Sequence, residues 1–125
     1  MNREKGIAYC GLACCLCDED PSCTGCRAGK CKESASCKSF HCCTERNLRG
    51  CWQCECFPCN NKMFDSTRIR AFVEFIRRYG EGKLLDCLER NEKEGVLYHY
   101  PGKLVGDYDQ FSTMEQIISM LLGVR

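Results

Sequence analysis

No apolar run in this chain approaches the length of a bilayer span. The longest strongly apolar stretch, near residues 117–122, is broken by Ser119 and falls far short of the about 20 residues that a spanning helix needs. The opening segment, Met1-Asn-Arg-Glu-Lys-Gly-Ile-Ala-Tyr9, lacks the apolar core of an export signal. Both absences point to an intracellular, cytoplasmic protein with no membrane partner. Charge of one sign is missing too. The formal net charge is +1 over 125 residues, so no global field draws the chain to nucleic acid or acidic lipid. Histidine is scarce, with two in all, and there is no Ser/His/Asp set, phosphate-cradling glycine loop or H-E-x-x-H motif. Acid–base chemistry would have to rest on carboxylates or thiols, and the sequence leans away from an enzyme. The deepest shortage is aliphatic. Residues 10–62 contain Leu12, Leu16 and Leu48, and neither isoleucine nor valine. A segment this long with so little apolar area needs cross-links to overcome chain entropy.

What is present is cysteine. The chain holds 15, of which only Cys87 lies outside the stretch from Cys10 to Cys59. An odd total leaves at least one thiol unpaired, and a reducing cytosol disfavours persistent disulfides. Spacing argues the same way. Cys14/Cys17, Cys23/Cys26, Cys51/Cys54 and Cys56/Cys59 are four C-x2-C pairs. Two intervening residues let a tight turn aim both sulfurs at one ion, and repetition of the pair is the mark of tetrahedral thiolate sites. A single pair would read equally as a redox dithiol. Two or three zinc ions are the expected cofactor. An iron–sulfur cluster is the alternative, since four thiolates suit it as well, but Cys14, Cys17 and Cys23 do not continue the ferredoxin period.

Charge bookkeeping supports a structural role. Residues 1–62 carry nine Lys/Arg and seven Asp/Glu. Each zinc with four thiolates adds −2, so three sites would take this half from +2 to about −4. Arg27, Lys30, Lys32 and Lys38 then offset thiolate charge. His41, beside Cys42, reads as a solvated histidine before it reads as a ligand. Asp18-Glu19-Asp20 reads as a solvated loop, and Asp107-Tyr108-Asp109 as a turn before a cation site.

The second half is ordinary helical material. Asp65, Ser66 or Thr67 caps a helix beginning near Arg68, with Ile69, Phe72, Val73 and Ile76 on its buried face and Gly80 at its stop. Arg68, Arg70, Arg77 and Arg78 form a wet face, with Glu74 four residues from both Arg70 and Arg78. A second helix spans about residues 83–90, with Leu84, Leu85 and Leu88 inward and Cys87 as a small buried hydrophobe. Ser112-Thr-Met-Glu115 is a capping box for a third, whose apolar face is Met114, Ile117, Ile118, Leu121 and Leu122. Residues 96–108 are expected to be extended, with turns at Pro101-Gly102 and Gly106-Asp107. The fold class is thus a small α-rich metalloprotein (α plus irregular). An irregular cysteine-rich zinc-knuckle region over residues 1–62 precedes about three helices over residues 63–125, packed against it as one structural unit.

Tyr9-Cys10-Gly11-Leu12-x-Cys14-x2-Cys17, Cys23-x2-Cys26-Arg27, Cys37, Cys42 and Cys51-x2-Cys54-x2-Phe57-Pro58-Cys59 resemble a prokaryotic cysteine-rich family. It is the domain-of-unknown-function family numbered thirty-seven ninety-five. The resemblance covers about residues 6–64 and implies zinc binding and a bacterial or archaeal source; it supplies no reaction. Cys15, Cys43 and Cys56 look like extras beside the pattern. The expected metal ligands are Cys10, Cys14, Cys17, Cys23, Cys26, Cys31, Cys37, Cys42, Cys51, Cys54 and Cys59, with their grouping open because C-x2-C pairs combine in several ways. Four functions compete. The first is a binding or scaffold module with structural zinc and a protein partner. The second is an iron–sulfur or thiol-based redox protein using Cys15, Cys43 or Cys56. The third is a zinc-knuckle nucleic-acid binder stacking Trp52, Phe57 and Phe40 on bases. The fourth is a metal store exchanging ligands through Cys14-Cys15 and Cys42-Cys43.

Overall fold

The computed structural model describes residues 6–11, 13–16, 38–55, 57, 62–100, 103 and 105–123. Among these residues the protein is helix-rich and holds no β-strand. Four α-helices occur: α1 (Lys38–Glu45), α2 (Thr67–Tyr79), α3 (Glu81–Lys93) and α4 (Met114–Leu122). Short 3-10 turns lie at Cys14–Leu16, Cys51–Gln53, Lys62–Asp65 and Asp107–Gln110. No helix among the described residues is long and apolar enough to cross a membrane.

Helix α2 starts where the sequence predicts. The Ser66 hydroxyl accepts from the Ile69 N–H at 3.3 Å, satisfying one of the unpaired donors of the first turn. It ends at Gly80, whose φ of 95° lies in the region that only glycine enters cheaply. That one residue also opens α3, so the two helices turn on a single hinge. The second helix is longer than its apolar pattern, running from Glu81 to Lys93. Leu84, Cys87, Leu88 and Asn91 are its buried face, and Cys87 packs as a small hydrophobe in the core.

The capping box of the last helix is displaced by one residue from Ser112 and Glu115. Thr113 accepts from the Gln116 N–H, and the Gln116 side chain accepts from the Thr113 N–H. Glu115 is turned outward and pairs instead with Arg78 at 2.7 Å. Helix α2 packs on both α3 and α4, which also pack on each other. Phe72, Phe75, Leu84, Leu88, Ile117 and Leu121 form the centre of this three-helix core.

Two departures from expectation concern the segments between helices. Residues 38–45, expected to be irregular, form a two-turn helix. Residues 96–108 are expected to be extended; their described residues form no strand and are tied by polar contacts, and the turn expected at Pro101-Gly102 lies outside the described residues. The Asp107 carboxylate accepts from the Leu97 N–H and the Tyr100 hydroxyl, both at 2.7 Å. Asp109 accepts from the Gly106 N–H and from Arg68. The Asp107 and Asp109 carboxylates thus take the Leu97 and Gly106 N–H groups, while the Asp107 N–H donates to the Leu97 carbonyl and the Tyr100 N–H to the Val105 carbonyl.

Arg68 overturns the wet-face expectation for α2. It is 7% exposed, pairs with Asp109 at 2.9 Å, and lies 4.7 Å from the centre of the Tyr98 ring. Of the four arginines, Arg78 keeps the expected pairing with Glu74. Asn91 is fully buried and donates to the Tyr108 hydroxyl and to the Met120 carbonyl, while Arg90 donates to the Leu121 carbonyl. The last carbonyls of α4 are therefore capped from α3.

Two measurements check these ties. Asp109→Ala leaves the Arg68 charge enclosed without its carboxylate, so urea unfolding is expected to show a loss of about 3 kcal/mol. Tyr108 is buried, which pushes its phenol up to about 12 from the ordinary 10. The unfolded chain therefore loses this proton first. The group's contribution to stability is whole below the ordinary value and is lost as pH rises toward the folded one. Unfolding followed on either side of that window is expected to show a smaller alkaline loss in Tyr108→Phe than in the wild type.

Candidate metal centre

The described part of the cysteine-rich half is built around two turns that meet on α2. The first covers residues 6–16. Ile7, Ala13 and Cys15 enter the main helical core, and the Ala13 N–H donates to the Tyr98 hydroxyl at 3.1 Å. Gly11 has a φ of 97°, and a Cβ there would stand 2.7 Å from the Val73 side chain. Glycine is needed for both reasons, and it lets this turn sit directly on α2. The second turn is the C-x2-C pair Cys51–Cys54. The Cys54 N–H donates to the Cys51 carbonyl at 3.1 Å, closing a 3-10 turn. The Cys51 N–H donates to the Tyr9 carbonyl at 2.8 Å, which fastens the two turns together beside Cys10.

Helix α1 supplies the facing wall. It ends with Asn47 in the left-handed region at φ 55°, a conformation asparagine tolerates, while the Leu48 N–H donates back to the Cys43 carbonyl. The chain then reverses, and the Arg49 N–H donates to the Gln53 side chain. This reversal brings the Cys43 sulfur to 4.0 Å from the Cys51 sulfur. The separation is about twice a disulfide bond of about 2.05 Å. It is close to the about 3.8 Å edge of a tetrahedron of sulfurs around zinc with bonds of about 2.3 Å. Burial first, and then the neighbouring Cys51, push the Cys43 thiol up to about 12.

Arginines bracket the pair. Arg46 Nη2 donates to the Cys54 sulfur at 3.4 Å. Arg77, from α2, donates through Nε to the Trp52 carbonyl at 3.0 Å and through Nη2 to the Cys54 carbonyl at 2.6 Å. Its guanidinium lies 4.8 Å from the centre of the Phe57 ring, which meets Phe64 edge-on. Arg77 is exposed, as the wet-face expectation has it, and is also engaged with the C-x2-C turn, a contact that expectation did not include. The spacing carries a signal for it. Ile69, Val73 and Arg77 follow each other at four-residue steps, and Ile69 and Val73 pack with Cys43, Cys51 and Phe64 in a second small core.

The expected ligands fall into three groups. Cys10, Cys51 and Cys54 are buried, at 5%, 6% and 7% exposure. Cys42 is half-buried, and Cys14 lies in the first 3-10 turn. Cys17, Cys23, Cys26, Cys31, Cys37 and Cys59 lie outside the described residues, as do Cys56 and the acidic run at residues 18–20. Among the described residues, no group of three or more His, Cys, Asp or Glu side chains is placed to hold a metal ion. Of the supposed extras, Cys15 is a core residue and Cys43 is 1% exposed against Cys51. His41 is exposed on α1 and meets Phe40 edge-on. Above Cys43 a shallow, open hollow of about 510 Å³ is lined by Tyr9, Asn47, Arg49 and Gln53 among others. On its wall Arg49 is joined to Glu81 at 3.0 Å. Comparison of the chain with family models, curated proteins and solved structures finds no match in any of the three.

The clamp on the turn can be tested through the only tryptophan of the chain, Trp52. Arg77→Met removes both donors. It is expected to cost about 1 kcal/mol, the range for a solvent-screened charged hydrogen bond. Trp52 emission should move to the red while helicity is kept. An unmoved emission spectrum would show that the turn holds itself.

Proposed function

We propose that this protein is a metal-binding binding or scaffold module, in which two or three structural zinc ions organise the cysteine-rich half against the helices. The observation that carries the reading is the Cys51–Cys54 turn. Both side chains are buried, the turn has the compact 3-10 form, and it is tied to α2 through Arg77. Burying thiols at C-x2-C spacing in a half with almost no aliphatic carbon is what a structural thiolate site requires. Zinc with four thiolates leaves no open position for substrate, in keeping with a role in binding rather than hydrolysis.

The neighbouring side chains bear against two of the rivals, a redox switch through Cys15 or Cys43 and a nucleic-acid binder. A redox switch needs accessible thiols of low pKa, whereas Cys15 and Cys43 are enclosed and burial pushes Cys43 upward. Base stacking needs open aromatic faces. Phe40 meets Tyr9 edge-on, Phe57 meets Phe64 and Arg77, and Trp52 packs against both cores.

Elemental analysis of protein purified without oxygen is expected to find two or three zinc ions per chain and no acid-labile sulfide. Stripping them with a chelator under reducing conditions should abolish amide protection at the Cys51–Cys54 turn and lower the helical signal. A stripped chain with unchanged amide protection and circular dichroism would sink the proposal.

A further inference from the structure

We infer that Cys43 and Cys51 form a two-thiolate site for a soft monovalent metal ion of the copper(I) class. The inference goes beyond the zinc reading and does not need it, because it concerns a different ion and asks for two donors only. The carrying observation is the 4.0 Å approach of the two sulfurs, one from α1 and one from the C-x2-C turn, across a chain reversal. Among the described residues no group of three or more His, Cys, Asp or Glu side chains is placed to hold an ion, so a close pair is what these residues offer. Zinc asks for four donors. Copper(I) is a soft ion that thiolates select, and two of them satisfy it. Metal–sulfur bonds of about 2.3 Å let two sulfurs stand up to about 4.6 Å apart across one ion, so this pair takes one with a movement of about 0.6 Å or less.

The surroundings suit that ion. Cys43 is 1% exposed and Cys51 6% exposed, and Phe64, Ile69 and Val73 complete their wall. Uptake moves no electron. Two thiols and one monovalent cation give a dithiolate complex of net charge −1, and one proton from each thiol goes to solvent. Four thiolates around zinc would carry −2; the smaller charge is easier to keep beside apolar carbon. Arg46, donating to the Cys54 sulfur at 3.4 Å, and Arg77, donating to the Cys54 carbonyl, bring positive charge to the same turn. The open hollow that Cys43 lines gives the ion a way in. Where Cys51 already holds zinc, copper(I) competes for it, because thiolate prefers the softer ion. Cys42 stands apart from the pair: one residue along a helix turns the side chain by about 100°, and Cys42 is only half-buried.

The test uses the full chain, reduced and handled without oxygen, given one equivalent of copper(I) in competition with the coloured chelator bicinchoninate. The wild type is expected to take the ion from the chelator. Cys43→Ala and Cys51→Ala should each lose that competition, the double variant should bind no more weakly than either, and Cys42→Ala should match the wild type. Circular dichroism checks that each variant keeps its helices. X-ray absorption of the wild-type complex needs no variant at all, and should find two sulfur neighbours in a near-linear arrangement. A Cys43→Ala or Cys51→Ala chain that holds the ion as tightly as the wild type would overturn the inference. So would a double variant weaker than both single ones, a Cys42→Ala chain that loses the ion, or a copper with three or four sulfur neighbours. A wild type that leaves the copper with the chelator overturns it too. None of these outcomes touches the zinc content of the protein as purified, which tests the proposed function separately.

Discussion

Between Cys43 and Val73 the chain has to bury sulfur and aromatic carbon, because it carries so little branched aliphatic material in that half. The second core shows the consequence. Its fully buried members are Cys43, Cys51, Phe64, Ile69 and Val73, and both aliphatic ones come from α2. A cysteine side chain covers far less area than leucine and contributes correspondingly less at about 25 cal/mol per Å². A core made this way is weak unless something else joins its sulfurs. That constraint explains why the cysteine-rich turns do not stand apart from the helices but lean on α2 through Ile69, Val73 and Gly11.

Helix α2 can take this load because it is buried on two sides. Phe72, Phe75 and Ile76 face α3 and α4, while Ile69 and Val73 face the thiols. A helix buried so widely has few positions left for solvent, and its arginines are placed accordingly. Arg68 reaches Asp109, Arg77 reaches the carbonyls of the C-x2-C turn, and Arg78 reaches Glu115 on α4. Each guanidinium carries several donors in a rigid plane, so one side chain can satisfy two acceptors on another segment. Arginine serves here as a joint between segments that share little apolar surface.

The helical half was legible in the sequence because its signals are local. A cap among Asp65, Ser66 and Thr67, the Gly80 stop and the buried stripe of α2 follow from spacing, and the structure makes Ser66 the cap. Cys87 sits among leucines and behaves like one. Where the reading slipped, a longer-range contact decided. Thr113 rather than Ser112 caps α4, and Arg78 holds Glu115 away from the role the sequence suggested. The sequence groups Arg68 and Arg77 with Arg70 and Arg78, which stand four residues from Glu74 and so have a simple local partner. The partners of Arg68 and Arg77, Asp109 and the carbonyls of Trp52 and Cys54, lie 41, 25 and 23 positions away. At the candidate site, the C-x2-C spacing identified the turn but not its opposite number. Nothing in a pair such as Cys42-Cys43 says which sulfur faces inward. That is settled by the helical phase of α1, itself hidden in a stretch with too few apolar residues to show a period.

The same geometry bears on how metal and fold would act on each other under the proposed function. Ile69, Val73 and Arg77 belong to α2 and touch the thiol cluster, while Phe72 and Phe75, on the adjoining face, anchor α3 and α4. An ion that bonds the sulfurs of the turn stabilises the arrangement those α2 side chains require. By linkage, whatever stabilises α2 must then raise the affinity for the ion by the same free energy. Arg77 is the place where this coupling concentrates, because from α2 it holds the backbone of the C-x2-C turn through the carbonyls of both Trp52 and Cys54. A scaffold built so needs no large core in its cysteine-rich half. It needs a helix that is already folded, and a turn whose sulfurs that helix keeps within reach of one another.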